Sequence, residues 1–212
     1  RELLGPDSAG TAKYRREYEK DVRRSWKVSN REALLREIQG SSVLLLGDFH
    51  ALQQSQKAQL RILKNLPPRR PVVLALECFE AAHQKDLDLY MGGQRSERDL
   101  LKSVQWHKHW GFPWEHYRPL LRWAQKRKIP VVGVNRRIES SSATSLRARD
   151  RFAAERAKEI RQKYPDHLIV MVFGDLHLAS GHLPSSLKSH LKGKNERILS
   201  VLQNSERLYF QL

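Results

Sequence analysis

Four short apolar runs constrain this chain more than any other feature. Residues 43–46, 72–76, 131–134 and 168–173 are apolar with no polar alternation. A strand with one face in water alternates, whereas an unbroken run is buried on both faces. A fifth run, 198–202, carries a single serine, and residues 208–210 read as a last edge strand. Helical spacings separate the runs. Tyr117, Leu120, Leu121 and Ala124 follow i, i+3, i+4, i+7, and Ala153, Ala157, Ile160 and Tyr164 follow i, i+4, i+7, i+11. Leu183, Leu187 and Leu191 repeat every four residues, and further helices are read at 12–24, 31–38 and 52–66. Ser29 with Glu32 reads as a capping box ahead of the second of these. Buried strands alternating with helices predict an α/β fold: a mainly parallel β-sheet flanked by helices.

The connection between the second and third strands is longer than a crossover needs. Residues 81–118 are read as a small helical insertion inside one domain spanning 1–212. The insertion is rich in rings. Trp106, Trp110 and Trp114 lie in it, with Trp123 just after, together with His83, His107, His109 and His116.

The length of 212 residues suits one domain, and a 40% hydrophobic share is enough for a core. No run approaches the roughly 18 apolar residues of a membrane helix. The lone cysteine, Cys78, excludes an internal disulfide and the cysteine-rich zinc sites. It is expected as a small buried apolar residue. A net charge of +16 favours anionic partners. The cations, however, are spread through the helices, with no basic tail and no nucleic-acid-binding motif. The expectation is a solvated basic surface with no specific nucleic-acid partner. The chain opens on Arg1 and not on methionine, so a removed leader is expected, which offers a route to membrane association.

In an open parallel sheet, ligands bind beyond the carboxyl ends of the strands. The first strand presents Gly47, Asp48 and His50 there. The second presents Glu77, Cys78 and Glu80, the third Asn135, Arg136 and Arg137. The fourth presents Gly174, Asp175 and His177, with His182 further on. The Gly-Asp-x-His echo is the one clear internal repeat; its alternative reading is structural capping. Glu77 follows five apolar residues, where a carboxylate is costly to bury without a partner. Imidazoles with carboxylates suit a divalent transition metal, and Asp48, His50, Glu77, Asp175 and His177 are the donor set expected. Without metal, a histidine beside a carboxylate is a general base. His50, Glu77 and His177 are then the catalytic candidates of an enzyme. Arg136 is expected to hold an anionic substrate group. The insertion offers a different chemistry: its rings could form a slot for a flat ligand such as haem, or simply pack as a helical core.

The order of motifs resembles a known family. It runs from an apolar strand through Gly47-Asp48-Phe49-His50 and a Gln-rich helix to PVVLALECFE at 71–80. The ring-containing insertion, IPVVGVNR at 129–136 and VFGDLH at 172–177 follow. This resembles the ChaN-like haem-binding lipoproteins, within the wider superfamily of Tiki proteases and erythromycin esterases, over about residues 30–204. The resemblance implies haem binding in iron or haem uptake, at the cell envelope, as a homodimer sharing stacked haems. Tyr90 and Tyr117 are the tyrosines it offers as iron ligands, with His116 and Trp110 in the same ring set. For Tiki-like relatives it implies metal-dependent hydrolysis, carried over to His50, His177 and Glu77. Asp48 then stands where glutamate is usual, one methylene shorter.

Overall fold

The computed structural model describes residues 9–67, 70–137, 143–191, 193 and 196–203. Five strands form one sheet: β1 (Val43–Asp48), β2 (Val72–Glu80), β3 (Val131–Asn135), β4 (Leu168–Gly174) and β5 (Ile198–Val201). They run parallel in the order β3-β2-β4-β1-β5. The α/β expectation therefore holds. The strand read at 208–210 lies outside the described residues.

Each apolar run splits between two cores because successive side chains point to opposite faces. Leu44, Leu46, Leu74, Leu76, Val170 and Val172 face one core. Val43, Leu45, Val73, Ala75, Ile169, Met171 and Phe173 face the other. The first core is covered by α2 (Arg31–Gln39), α3 (Gln53–Lys64), α4 (Gln84–Met91), α5 (Glu97–Ser103), α6 (Trp106–His109) and α7 (Trp114–Lys126). The second is covered by α8 (Ala143–Lys163) and α9 (Leu183–His190). An N-terminal helix, α1 (Ala9–Ser25), packs on α8.

One local expectation is corrected. Helix α2 is capped by Asn30, whose side chain accepts from the Ala33 N–H at 2.9 Å, and Ser29 is not the cap. The cap, not the helix start, shifts by one residue, because Asn30 takes the extended conformation, φ −95° and ψ 173°, that an N-cap needs.

The insertion does not stand apart from the sheet. Leu87, Leu100, Trp106, Trp114 and Tyr117 belong to the same buried cluster as the strands beneath them. Trp106 Nε1–H donates to the Phe112 carbonyl at 2.7 Å, which satisfies the one polar atom of a buried indole. Trp110 and Phe112 are half-buried at the edge of this cluster.

Strand β2 outlasts its apolar run. Its pairing with β3 shifts between Leu76 and Glu80, so the chain bulges where Glu77 lies. A Cβ at Gly133 would come within 2.9 Å of the Glu80 carbonyl oxygen, so the bulge needs glycine on the neighbouring strand.

Candidate functional site

The carboxyl ends of the strands bring the two Gly-Asp-x-His motifs together. Strands β1 and β4 are neighbours with Asp48 opposite Gly174, so His50 and His177 emerge side by side. Glu77, at the end of β2, reaches between them. His50 Nε2 is 3.8 Å from Glu77 Oε2, and His177 Nε2 is 3.6 Å from Glu77 Oε1. The Gly174 N–H donates to Glu77 Oε2 at 2.6 Å. A Cβ at 174 would sit 3.1 Å from His50 Nε2 and 3.5 Å from Glu77 Oε2. The glycine thus leaves room for both groups.

Each imidazole is held from behind by an aspartate and a tyrosine. His50 Nδ1 lies 2.7 Å from Asp48 Oδ2. Asp48 also accepts from Tyr117 Oη at 2.9 Å, Gln56 Nε2 at 2.5 Å and Gln59 Nε2 at 3.0 Å. On the other side, His177 Nδ1 lies 2.6 Å from Asp150 Oδ1, and Tyr14 Oη donates to Asp150 Oδ2 at 2.6 Å. A carboxylate only accepts, so Nδ1 of each imidazole carries the proton. Both Nε2 atoms are left facing Glu77. A carboxylate behind a ring fixes its tautomer and raises its basicity.

The electrostatics agree. Burial acts to lower the pKa of His50, but Asp48 overrides it, aided by Glu77 and Asp175, and the net shift is upward. His177 follows the same pattern: burial lowers, Asp150 and Glu77 raise, and the result is raised. Burial pulls Asp48 upward, yet His50 and the donors from Tyr117 and Gln59 hold it below its ordinary value. Burial, then Asp48, pushes the Tyr117 phenol well up. Burial, then Asp150, does the same to Tyr14.

Of the expected site residues, Asp48, His50, Glu77 and His177 converge. Asp175 acts on His50 through its charge. Among the described residues no group of three His, Cys, Asp or Glu side chains is arranged to hold a metal ion. The five-residue donor set does not form a ready metal shell, because Asp48 is already taken up by four donors behind the ring of His50. Arg136 is exposed, with its guanidinium over the Phe152 ring at 5.6 Å. Its neighbour Arg137 bonds Glu80 at 3.2 Å and His109 at 2.6 Å. Tyr117 is turned inward, its phenol committed to Asp48. Tyr90 is 7% exposed, and burial, then Glu97, raises its pKa. Trp110 and His116 reach the surface: Trp110 stands edge-on to His50 at 4.6 Å, and His116 Nδ1 lies 3.4 Å from the His50 carbonyl oxygen. Cys78 is half-buried, and burial, then Asp48 and Glu77, raises its thiol well above the ordinary value.

Sequence reasoning missed Asp150 and Tyr14. A signal existed for the first. Asp150 lies three residues before Ala153 and seven before Ala157, on the buried stripe of α8, where a lone carboxylate implies a partner. Tyr14 reads in the sequence only as an apolar anchor of a basic N-terminal helix, which does not mark its phenol as a partner of Asp150. The Gln-rich helix supplies Gln56 and Gln59 as donors to Asp48, a role that its composition alone does not mark.

The model of the family described as haem-binding uptake, Tiki superfamily, ChaN matches residues 34–143. Among solved structures, one of cofacial haem binding to ChaN of Campylobacter jejuni is 16% identical, with a TM-score of 0.57 over 86% of this chain and 88% of that one. Another, the C-terminal region of Pasteurella multocida toxin, described as holding a thiol-protease-like catalytic triad, is 12% identical with a TM-score of 0.58. It covers 92% of this chain and 30% of that one. At these identities the two structures support the fold alone. No curated protein matches the sequence.

Proposed function

The chain belongs to the haem-binding uptake family of the Tiki superfamily, that of ChaN, and on that premise we propose that it binds haem at the ring-lined mouth beside His50, in haem or iron uptake. One observation carries the reading. The half-buried rings of Trp110 and Phe112 stand 4.6 and 5.0 Å from the His50 ring, at the rim of the strand-end site. Flat apolar ligands seat against such rings, and a few polar groups fix their orientation. Haem adds anionic propionates, for which Arg136 stands exposed after β3. The donor set fits an iron porphyrin as cargo. His116, with Nδ1 towards the His50 carbonyl, has Nε2 left to face a ligand, and a neutral imidazole nitrogen is an ordinary haem ligand. Tyr117 and Tyr90 suit that role less, because both are buried and the Tyr117 phenol is already committed to Asp48. The resemblance alone extends the reading to the cell envelope and to a homodimer.

A hemin titration followed by the Soret band tests this. Saturable binding well above that of an unrelated basic protein is expected. Binding no tighter than that control contradicts the proposal, because hemin adheres to any cationic surface.

A second reading rests on a different observation. Glu77 lies between two imidazoles whose Nδ1 protons are fixed by aspartates. That arrangement suits general-base hydrolysis, with one Nε2 taking a proton from water while Glu77 stabilises the imidazolium. Turnover of p-nitrophenyl acetate above background, lost in Glu77→Gln with haem binding retained, is the expected result. Absence of turnover at any pH contradicts it.

A further inference from the structure

A cavity of about 550 Å³ lies at the opposite end of the sheet, where β2, β3 and β4 begin. Glu77 is five residues along β2 from Val72, roughly 16 Å at the rise of a parallel strand, so this cavity is remote from the strand-end site. Its size falls within the usual range for small-molecule sites. Leu63, Leu66 and Ile129 give it apolar wall, and Trp123 adds a ring. Lys64, Arg127 and Lys128 bring cations from the ends of α3 and α7, and no carboxylate lines it among the described residues.

Cations at helix carboxyl ends commonly answer the helix dipole. At α7 the backbone already does that work. The Ala124 carbonyl accepts from the N–H groups of Arg127 and Ile129, and the Gln125 carbonyl accepts from that of Lys128. The cationic heads are therefore available to something else. Arg127 lies over the Trp123 ring at 5.2 Å. Lys128 holds a left-handed backbone, φ 53°, at a position where glycine is the easy choice. A cation is thus kept there against a conformational cost. Arg70 is spent on the carbonyls of Ile38, Gln39 and Ser41. Two ring nitrogens of the wall, Trp123 Nε1 and His167 Nδ1, have no hydrogen-bond partner. Unpaired buried nitrogens of this kind stand out in a wall that is otherwise apolar and cationic.

We infer that this cavity is a second ligand site, for a small acid with a flat apolar body. The body lies against Leu63, Leu66 and Trp123, and the oxyanion meets Arg127 and Lys128. The inference is independent of the haem reading.

The indole N–H resonance of Trp123, assigned through Trp123→Phe, reports on the site. The full chain is titrated with phenyl phosphate and, separately, with benzoate; phenol and inorganic phosphate are the controls. A saturable shift is expected with one or both aryl acids, at lower concentration than with either control. Phenyl phosphate alone would identify a phosphate monoester, benzoate a carboxylic acid. The exposed double variant Arg127→Gln/Lys128→Gln should weaken binding by about tenfold or more. A shift that never saturates, one that phenol reproduces, or an affinity unchanged in the double variant overturns the inference.

Discussion

The two halves of the strand-end site use the same parts in different surroundings. His50 with Asp48 and Tyr117 sits at the mouth, and the His50 side chain is 22% exposed. His177 with Asp150 and Tyr14 is closed in, at 6%. The difference lies in what covers each half. Trp110 and Phe112 flank the first and leave an opening. Over the second lies α1, where Tyr14 stacks on His182 at 3.5 Å and Glu17 accepts from His182 Nε2 at 2.9 Å. Asp21 accepts from the Ser180 backbone N–H and hydroxyl. The open half leaves the His50 ring reachable from the mouth. The closed half holds the His177 imidazole in place beside Glu77.

The aspartates should separate the halves most strongly. Asp48 serves four donors and Asp150 two. Replacing a buried acceptor strands its donors, and Asp48→Ala is expected to cost about 4 kcal/mol. Asp150→Ala should cost about 3 kcal/mol by the same logic. Urea unfolding measures both, and a larger loss in Asp150→Ala would break the comparison. The tyrosines come next. Tyr14→Phe should cost about 1–2 kcal/mol and Tyr117→Phe about 1 kcal/mol, because Asp48 keeps three donors while Asp150 keeps one.

The pH dependence is the smallest effect. The folded pKa values of His50 and His177 are raised. Their contribution is therefore complete below the ordinary histidine value of about 6.5 and is lost as pH rises through the higher folded values. Asp48 is lowered. Its contribution is present above about pH 3.9 and is lost as pH falls through the lower folded value. Stability from this cluster should peak between about pH 4 and pH 6.5. The alkaline decline should shrink in His177→Gln, as urea midpoints across pH will report; an unchanged decline would place its origin elsewhere.

The sequence carried the open half almost whole. Asp48 and His50 lie two residues apart in one motif, and the apolar run before Glu77 marks it as a buried carboxylate. The parallel sheet was legible for the same reason, since strands buried on both faces leave no polar alternation. The closed half was not. Asp150 and His177 are 27 residues apart, joined by packing of α8 against the sheet. Tyr14 is 136 residues from Asp150, on a helix whose exposed residues are mostly charged. The rings of the insertion are legible as a set, but which of them sink into the core is not. Their periodicity is that of α7 and α6, and depth depends on the sheet beneath.

Hemin titrations of Trp110→Ala/His116→Ala and of Tyr14→Phe, side by side with the unaltered chain, test the central claim most directly. The account expects the mouth variant to bind about tenfold more weakly or worse, through lost ring contact and a lost iron ligand, while Tyr14→Phe binds as the unaltered chain does. Full-strength binding by the mouth variant would contradict it.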